Sequence, residues 1–302
     1  MQLYFFKDAR YFQIIFQTIF LVYGIFFLHW NADWWLYATY FISSISMQLL
    51  CEIIFKNYEH RIFSISWWTK FRRGIPSVLI SSFGLSLLLK TNHFEIAALA
   101  AFVSIVSKYI IRINGKHIFN PSALGIVTTI LLTNNAWINT GQWGSNAVLF
   151  FGIICLGLIV VTRVQKLDVS LAFLGTFGLL LFFRQIIFLG WPVDFFAQSI
   201  STGSLLLFSF FMITDPRTTP NHPFARITWA MGIAIIAFYL TTFNFMNGAP
   251  IWVLVFLQPL VPVLDKLFKG KRFEWITASI SERKTMLSKK ILSEEVNHLS
   301  VT

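Results

Sequence analysis

The sequence predicts an all-α polytopic membrane protein with about ten transmembrane helices. Three observations carry that reading. The chain is 56% hydrophobic and only 12% charged, with mean hydropathy +0.67, whereas a soluble domain carries about 25% charged residues. The apolar residues stand in long blocks and not in the short alternating runs of a membrane β-barrel. The basic residues collect in every second gap between those blocks.

The apolar segments cover residues 11–28, 35–55, 75–89, 94–113, 122–133, 147–161, 169–189, 195–214, 227–243 and 249–267. The first is long for a signal-peptide core and has no small-residue cleavage site after it, so it reads as a retained span. Several of the others are short, so tilted or incomplete crossing is expected. The fifth, of 12 residues, gives about 18 Å of helix against a hydrocarbon core of about 30 Å. A helix that starts at membrane depth leaves free N–H groups where water is scarce, and a bound polar ligand is one reason for such a place.

Positive charge orders the gaps. Lys56, Arg61, Lys70, Arg72 and Arg73 share one; Arg112 and Lys116, Arg163 and Lys166, and Arg217 and Arg226 occupy the next three of the same parity. Lys7 and Arg10 precede the first segment, and Lys266, Lys269, Lys271 and Arg272 follow the last. The gaps between them, such as Trp30-Asn31-Ala32-Asp33, carry almost none. The expected topology has both termini in the cytoplasm, with a spanning domain over residues 1–268 and a cytoplasmic tail over 269–302. Because the net charge of +11 is placed by topology, the expected partners are the bilayer and other membrane proteins, not nucleic acid. Trp30, Trp34, Trp35, Trp67, Trp68, Trp137, Trp143 and Trp191 lie at segment ends, as an interfacial belt requires.

Ten segments divide into two sets of five. Asn120-Pro121 precedes the fifth and Met246-Asn247-Gly248-Ala249-Pro250 the tenth, on opposite sides, a hint of an inverted repeat. The two cysteines, Cys51 and Cys155, sit inside apolar runs and read as packing residues. They are too few for a four-cysteine iron–sulfur cluster. No two of the six histidines face each other at mid-membrane depth, so a haem or metal centre within the chain is not expected.

Two turns on the cytoplasmic side hold the unusual polar residues. One is Gly115-Lys116-His117-Ile118-Phe119-Asn120-Pro121-Ser122-Ala123; the other is Thr214-Asp215-Pro216-Arg217-Thr218. Asn120 fits an N-cap with proline at the first helical position and can also offer its amide to a ligand. Asp215 reads either as an Asp-Pro turn residue or as a buried acceptor. Glu52, Lys108, Arg112 and Arg184 lie within or at the ends of spans, where an ionisable group is either a snorkelling or paired side chain or a functional one. Ser201-Thr202-Gly203-Ser204 in the eighth segment allows close helix packing or leaves room for a ring.

These two turns, with Phe211-Met212-Ile213 before the second and Leu257-Gln258-Pro259-Leu260-Val261-Pro262-Val263-Leu264-Asp265 near the end, resemble the marked segments of one family. It comprises the B subunit of the sodium-pumping NADH:quinone oxidoreductase and the D subunit of the Rnf electron-transport complex. The resemblance covers approximately residues 61–272 and is nearest to the stand-alone members known as enediyne-biosynthesis homologues. It implies a multi-pass subunit of the bacterial cytoplasmic membrane that carries electrons within a larger complex. It also implies a non-covalent riboflavin, or a related flavin, near the cytoplasmic side. Carried across, Asn120 and Asp215 hydrogen-bond that flavin, with Lys116 and Thr214 beside them. Family members also attach FMN to a threonine in the loop after the fifth span. Here that loop, residues 134–146, lacks the Ser-Gly-Ala-Thr pattern and offers only Thr140, so no covalent FMN is expected.

No glycine-rich phosphate loop follows a strand, so NADH oxidation by this chain alone is not expected. Whether it is an enzyme by itself is left open. The leading expectation is a flavin-binding electron-transfer subunit. A small-solute transporter or channel on the same scaffold and a non-catalytic membrane anchor or assembly partner are the alternatives.

Overall fold

The computed structural model describes residues 8–30, 34–56, 65–140 and 147–273. The expected segments all appear as helix: α1 (Ala9–Phe26), α2 (Trp34–Lys56), α3 (Ile65–Leu88), α4 (Phe94–Ile110), α5 (Pro121–Leu132), α6 (Ala147–Val164), α7 (Leu167–Phe182), α8 (Val193–Ile200) with α9 (Gly203–Leu207), α10 (Pro223–Phe243), and α11 (Ala249–Leu257) with α12 (Val261–Leu267). Among the described residues five helical stretches are long and apolar enough to cross a membrane, and α8 with α9 makes a sixth if the bent pair counts as one. Pro121–Leu132 and Phe150–Val164 are apolar but shorter. The chain is an all-α polytopic membrane protein.

Large apolar side chains cover the outside: Ile42, Phe151, Leu171, Leu179, Tyr239 and Phe256 are all more than half exposed. In water such a surface would aggregate; in lipid it is solvated. The interior is built from small and aromatic residues. Ala97, Ala100, Ala101, Ala230, Ala234 and Ala237 are completely buried, so helices approach closely there. A Cβ on Gly125 would lie 2.7 Å from the Ala100 carbonyl oxygen, which fixes how near α5 comes to α4.

Three segments depart from the expected outline. The third begins ten residues earlier, at Ile65, and carries Pro76 inside the helix. The eighth is not continuous. It breaks at Ser201 and Thr202, where Thr202 turns extended, and resumes at Gly203 with a bend of 46°. The seventh ends in a π-helical stretch, Phe183–Phe188, and α9 runs into another, Phe208–Met212.

Cys51 is buried, but Cys155 is exposed because its face of α6 turns outward. Trp30, expected in the interfacial belt, packs inside the protein. It is 6% exposed, lies against Gly24, and has the Lys90 ammonium 5.7 Å from its ring. Trp34, Trp35, Trp137 and Trp191 are exposed. Lys7, His60, Arg61, Trp143, His298 and the chain beyond Phe273 lie outside the described residues, as do the side chains of Lys56, Trp67, Trp68, Lys70 and Arg73.

Two short strand pairs close opposite ends. At one end β1 (Leu89–Thr91) pairs antiparallel with β4 (Ala136–Ile138). At the other, β2 (Arg112–Ile113) pairs with β3 (Lys116–His117). Asn114 and Gly115 join β2 to β3 with φ of 52° and 72°, the left-handed pair that an Asn-Gly hairpin turn needs.

The short helices α5 and α11 pack against each other. The backbone N–H that opens α5, at Asn120, donates to Gln258 just past the end of α11. Gly248, which opens α11 with φ 66°, lies against Ile138, just beyond the end of α5. The two half-length helices therefore run antiparallel, each starting where the other stops. That arrangement matches the expected relation between the two Asn/Pro turns.

Candidate functional site

The hairpin sets up the site. Because Asn114-Gly115 reverses the chain, β3 returns along β2 and delivers His117 and then Asn120 to the start of α5. Asn120 caps that helix. Its Oδ1 accepts the Ala123 N–H at 3.2 Å and the Ser122 hydroxyl at 2.9 Å, while its Nδ2 donates to the Met212 carbonyl at 3.2 Å. Pro121 follows as the first helical residue, where its missing N–H costs nothing. The cap reading is therefore correct, and the same side chain also binds the second turn.

Met212 ends the π-helical stretch, and the wider turn brings Thr214 and Asp215 round. The Thr214 hydroxyl donates to the Phe210 carbonyl at 2.6 Å. Asp215 Oδ1 accepts the Arg217 N–H at 3.0 Å, and its carbonyl accepts the Thr218 and Thr219 N–H groups. Asp215 is a turn residue and is also largely enclosed, with 20% of its side chain exposed, so the two readings of it are compatible.

Between these turns and α1, α2, α3 and α4 lies a polar cavity of about 310 Å³. Asn120, Thr214 and Asp215 border it together, with His117 and Lys108. Glu52, 3% exposed, accepts the Tyr109 hydroxyl at 2.8 Å and the Gln48 amide at 3.1 Å. Lys108, 6% exposed, donates to the Ser77 carbonyl at 3.0 Å and lies 3.4 Å from the Ser77 hydroxyl. Neither side chain snorkels. The His117 Nε2 stands 3.9 Å from Asp215 Oδ2. Burial pushes the Asp215 carboxyl up, but His117 and the Arg217 N–H and guanidinium outweigh it and hold it below the usual carboxylate range. Burial holds His117 below the usual imidazole value against the pull of Asp215.

Lys116 does not border this cavity. Its neighbour His117 turns in, and alternation along the strand turns Lys116 away. Its ammonium donates to the Thr219 carbonyl at 2.6 Å and to Asp265 at 3.0 Å. Asp265 also accepts the Asn221 N–H at 2.7 Å, so Lys116 ties the hairpin to α12. Thr140 lies at the opposite end of the molecule. There, with Arg184, Gln185, Thr202 and Ser204, it borders a second, mainly apolar cavity of about 660 Å³. The Arg184 guanidinium stacks over Phe188 and Phe243, at 4.6 and 5.3 Å from the ring centres.

Sequence reasoning finds Glu52, Lys108 and Arg112 but not that they border one cavity, and it misses Gln48, Tyr109 and Ser77. A signal exists: Gln48 and Glu52 are four residues apart and share a face of α2. Among the described residues no group of three or more His, Cys, Asp and Glu side chains could hold a metal ion.

The sequence model of the NQR2, RnfD, RnfE family matches residues 130–274. The Asp215 turn and the Gln258–Asp265 segment fall inside that stretch, and the Asn120 turn falls before it. A relative from Halorhodospira halophila (strain DSM 244 / SL1), the D subunit of an ion-translocating oxidoreductase complex, is 32% identical over 66 residues. That alignment covers 22% of this chain and 18% of the relative. Together the matches support the NQR2, RnfD, RnfE family for this multi-pass chain.

Proposed function

We propose, with that family as the premise, that this chain is an electron-transfer subunit of Rnf/Nqr type that holds a non-covalent flavin, riboflavin or a close relative, in the polar cavity. In this reading it lies in a bacterial cytoplasmic membrane, with both termini and the cavity on the cytoplasmic side, and passes electrons to membrane protein partners.

The observation that carries the reading is the convergence of Asn120, Thr214 and Asp215 on one cavity of about 310 Å³. That volume lies at the lower end of ligand sites, about 300–1,000 Å³, and suits a single ring system with a short polar chain better than a dinucleotide. The polar groups on the wall fit such a ligand. Asn120 has one amide N–H beyond the one given to Met212, and Lys108 has donor capacity beyond Ser77. Both can donate to ring carbonyls and nitrogens. Asp215 keeps Oδ2 to accept from a ring N–H or a hydroxyl. Phe211 and Tyr109 add apolar surface. When bound, a flavin supplies one- and two-electron chemistry; the chain's residues hold it, exclude water and set its electronics.

The test is the visible absorption spectrum of the protein purified in detergent, with the supernatant examined after denaturation. The expected result is a flavin spectrum and one equivalent of flavin released. A colourless protein that releases none refutes the proposal.

A second reading has its own support. Two half-length antiparallel helices starting at opposite ends, as α5 and α11 do, are the usual frame of a small-solute transporter site. Uptake of a small polar solute by reconstituted vesicles, lost in Asn120→Leu with the fold intact, would favour that reading.

A further inference from the structure

Among the described residues the cavity wall carries a buried cation, Lys108, with no carboxylate in ion-pair range. Arg10 of α1 borders the cavity and pairs with Asp8 at 2.6 Å. Glu52 of α2 accepts from Gln48 and Tyr109. Arg112, beyond the end of α4, donates to the Lys108 carbonyl and is exposed, as Arg217 is. Asp215 faces His117 and caps the Arg217 N–H. Ser77 of α3, Pro121 and Ser122 of α5, and Val160 and Val164 of α6 complete the nearby wall without ionisable groups.

Lys108 differs from the other cations of the wall, which are paired or exposed. It is 6% exposed, and among the described residues its ammonium bonds only the uncharged oxygens of Ser77, with no carboxylate in ion-pair range. Asp215 acts on it only through its field. A buried ammonium in this position is costly, and a ligand that gains negative charge beside it relieves the cost.

Resting on the flavin reading above, we propose that Lys108 is a cofactor-binding residue whose ammonium compensates negative charge on the reduced ring, so that the cavity selects the anionic reduced form. Two electrons and one proton convert the oxidised ring to that form; the second proton, required for the neutral reduced form, stays in solvent. Glu52 on the facing wall keeps its charge turned into the Gln48 and Tyr109 hydrogen bonds, and the Asp215 carboxylate faces His117, which leaves Lys108 as the buried cation available to the ring.

The experiment is a spectroelectrochemical titration of the whole protein in detergent micelles from pH 5 to pH 9, with an electrode and soluble mediators supplying the electrons and free riboflavin run alongside. The plot of potential against pH changes slope where the second proton ceases to bind. In the native protein that break is expected at least about one pH unit below that of free riboflavin, about tenfold in proton affinity. Lys108→Met is expected to return the break to the free value, and Lys108→Arg to keep it low. A native break at or above that of free riboflavin overturns the inference, as does an unmoved break in Lys108→Met. If Lys108→Met does not retain flavin, Lys108→Arg decides: a low break supports the role of the charge, and a break at the free value overturns it. Native protein without flavin, seen in the spectrum before any potential is measured, overturns the flavin reading and this inference together.

Discussion

The backbone N–H of Asn120 donates to Gln258 Oε1 at 2.9 Å, across 138 residues of sequence. Both groups are buried, Gln258 completely. This one bond joins the start of α5 to the end of α11 and so fixes the wall of the cavity that Asn120 provides. Replacing Gln258 by Leu leaves the Asn120 N–H buried without an acceptor, at a cost of about 1–3 kcal/mol. The expected outcome is a lower thermal unfolding midpoint in detergent for Gln258→Leu, with Gln258→Glu, which keeps an acceptor, closer to the native value. Equal midpoints for Gln258→Leu and native protein would show that the bond contributes nothing.

Asn120 has separable roles, and substitution can divide them. Asn120→Asp keeps an oxygen for the Ala123 N–H but loses the donor to Met212. Asn120→Ala loses both, and the missing cap alone costs about 0.5–2 kcal/mol. Thermal stability is expected to fall in the order native, Asp, Ala. Bound flavin, read from absorbance, is expected to fall in both variants. Full flavin retention in Asn120→Ala would remove Asn120 from the binding site.

Close helix approach predicts a packing-sensitive position outside the cavity. A methyl group on Gly125 would meet the Ala100 carbonyl at 2.7 Å, and backbone cannot swing aside as a side chain can. Gly125→Ala is expected to destabilise by about 1–3 kcal/mol. Gly175→Ala, where nothing lies within 4 Å, is expected to unfold with the native midpoint or slightly above it. Comparing the two melting curves checks the prediction, and a native-like Gly125→Ala would refute it.

Lys166, at the start of α7, is 3% exposed and donates to the Pro220 carbonyl at 3.3 Å. Burial, helped by Arg226 and Lys116, lowers its pKa from 10.5 to about 8. Between these values the unfolded chain holds a proton that the folded chain has released. Stability therefore rises with pH through that window and is flat, with respect to this group, below about pH 8. Unfolding midpoints measured from pH 7 to pH 10 are expected to show this rise in native protein and to lose it in Lys166→Met. An identical pH dependence in both would reject the assignment.

Thr140 borders the apolar cavity at the end opposite to Asn120. If no flavin is attached there, Thr140→Val keeps the full flavin content, and the intact mass of denatured protein equals that of the bare chain. A mass increment lost in Thr140→Val would reverse that expectation.

Much of the frame is legible in local pattern. The Asn-Pro pair announces an N-cap, and Asn120 caps α5 through Ala123. The Asp-Pro pair announces a turn, and Asp215 accepts from Arg217 two residues on. Asn114-Gly115 is an equally strong hairpin signal, masked in a sequence dominated by helix. Adjacency to His117 places Lys116 with the site, but strand alternation sends the two side chains to opposite faces. Glu52 and Lys108 are recognisable as ionisable groups at depth. Their facing directions are not, because helices that are apolar all round give no period from which a buried face can be read.

Long apolar blocks and the spacing of Lys and Arg determined by themselves that this chain is a bundle of membrane helices, since the bilayer tests each segment separately for length and polarity. Only the tertiary structure decided that Asn120, Lys108, Asp215 and Glu52 border one cavity, that Lys116 leaves it for Asp265, and that α5 and α11 lie antiparallel. Those facts depend on how each helix is rotated and on bonds between residues as far apart as Asn120 and Gln258. In lipid, that rotation is settled by close packing and interhelical hydrogen bonds, not by hydropathy.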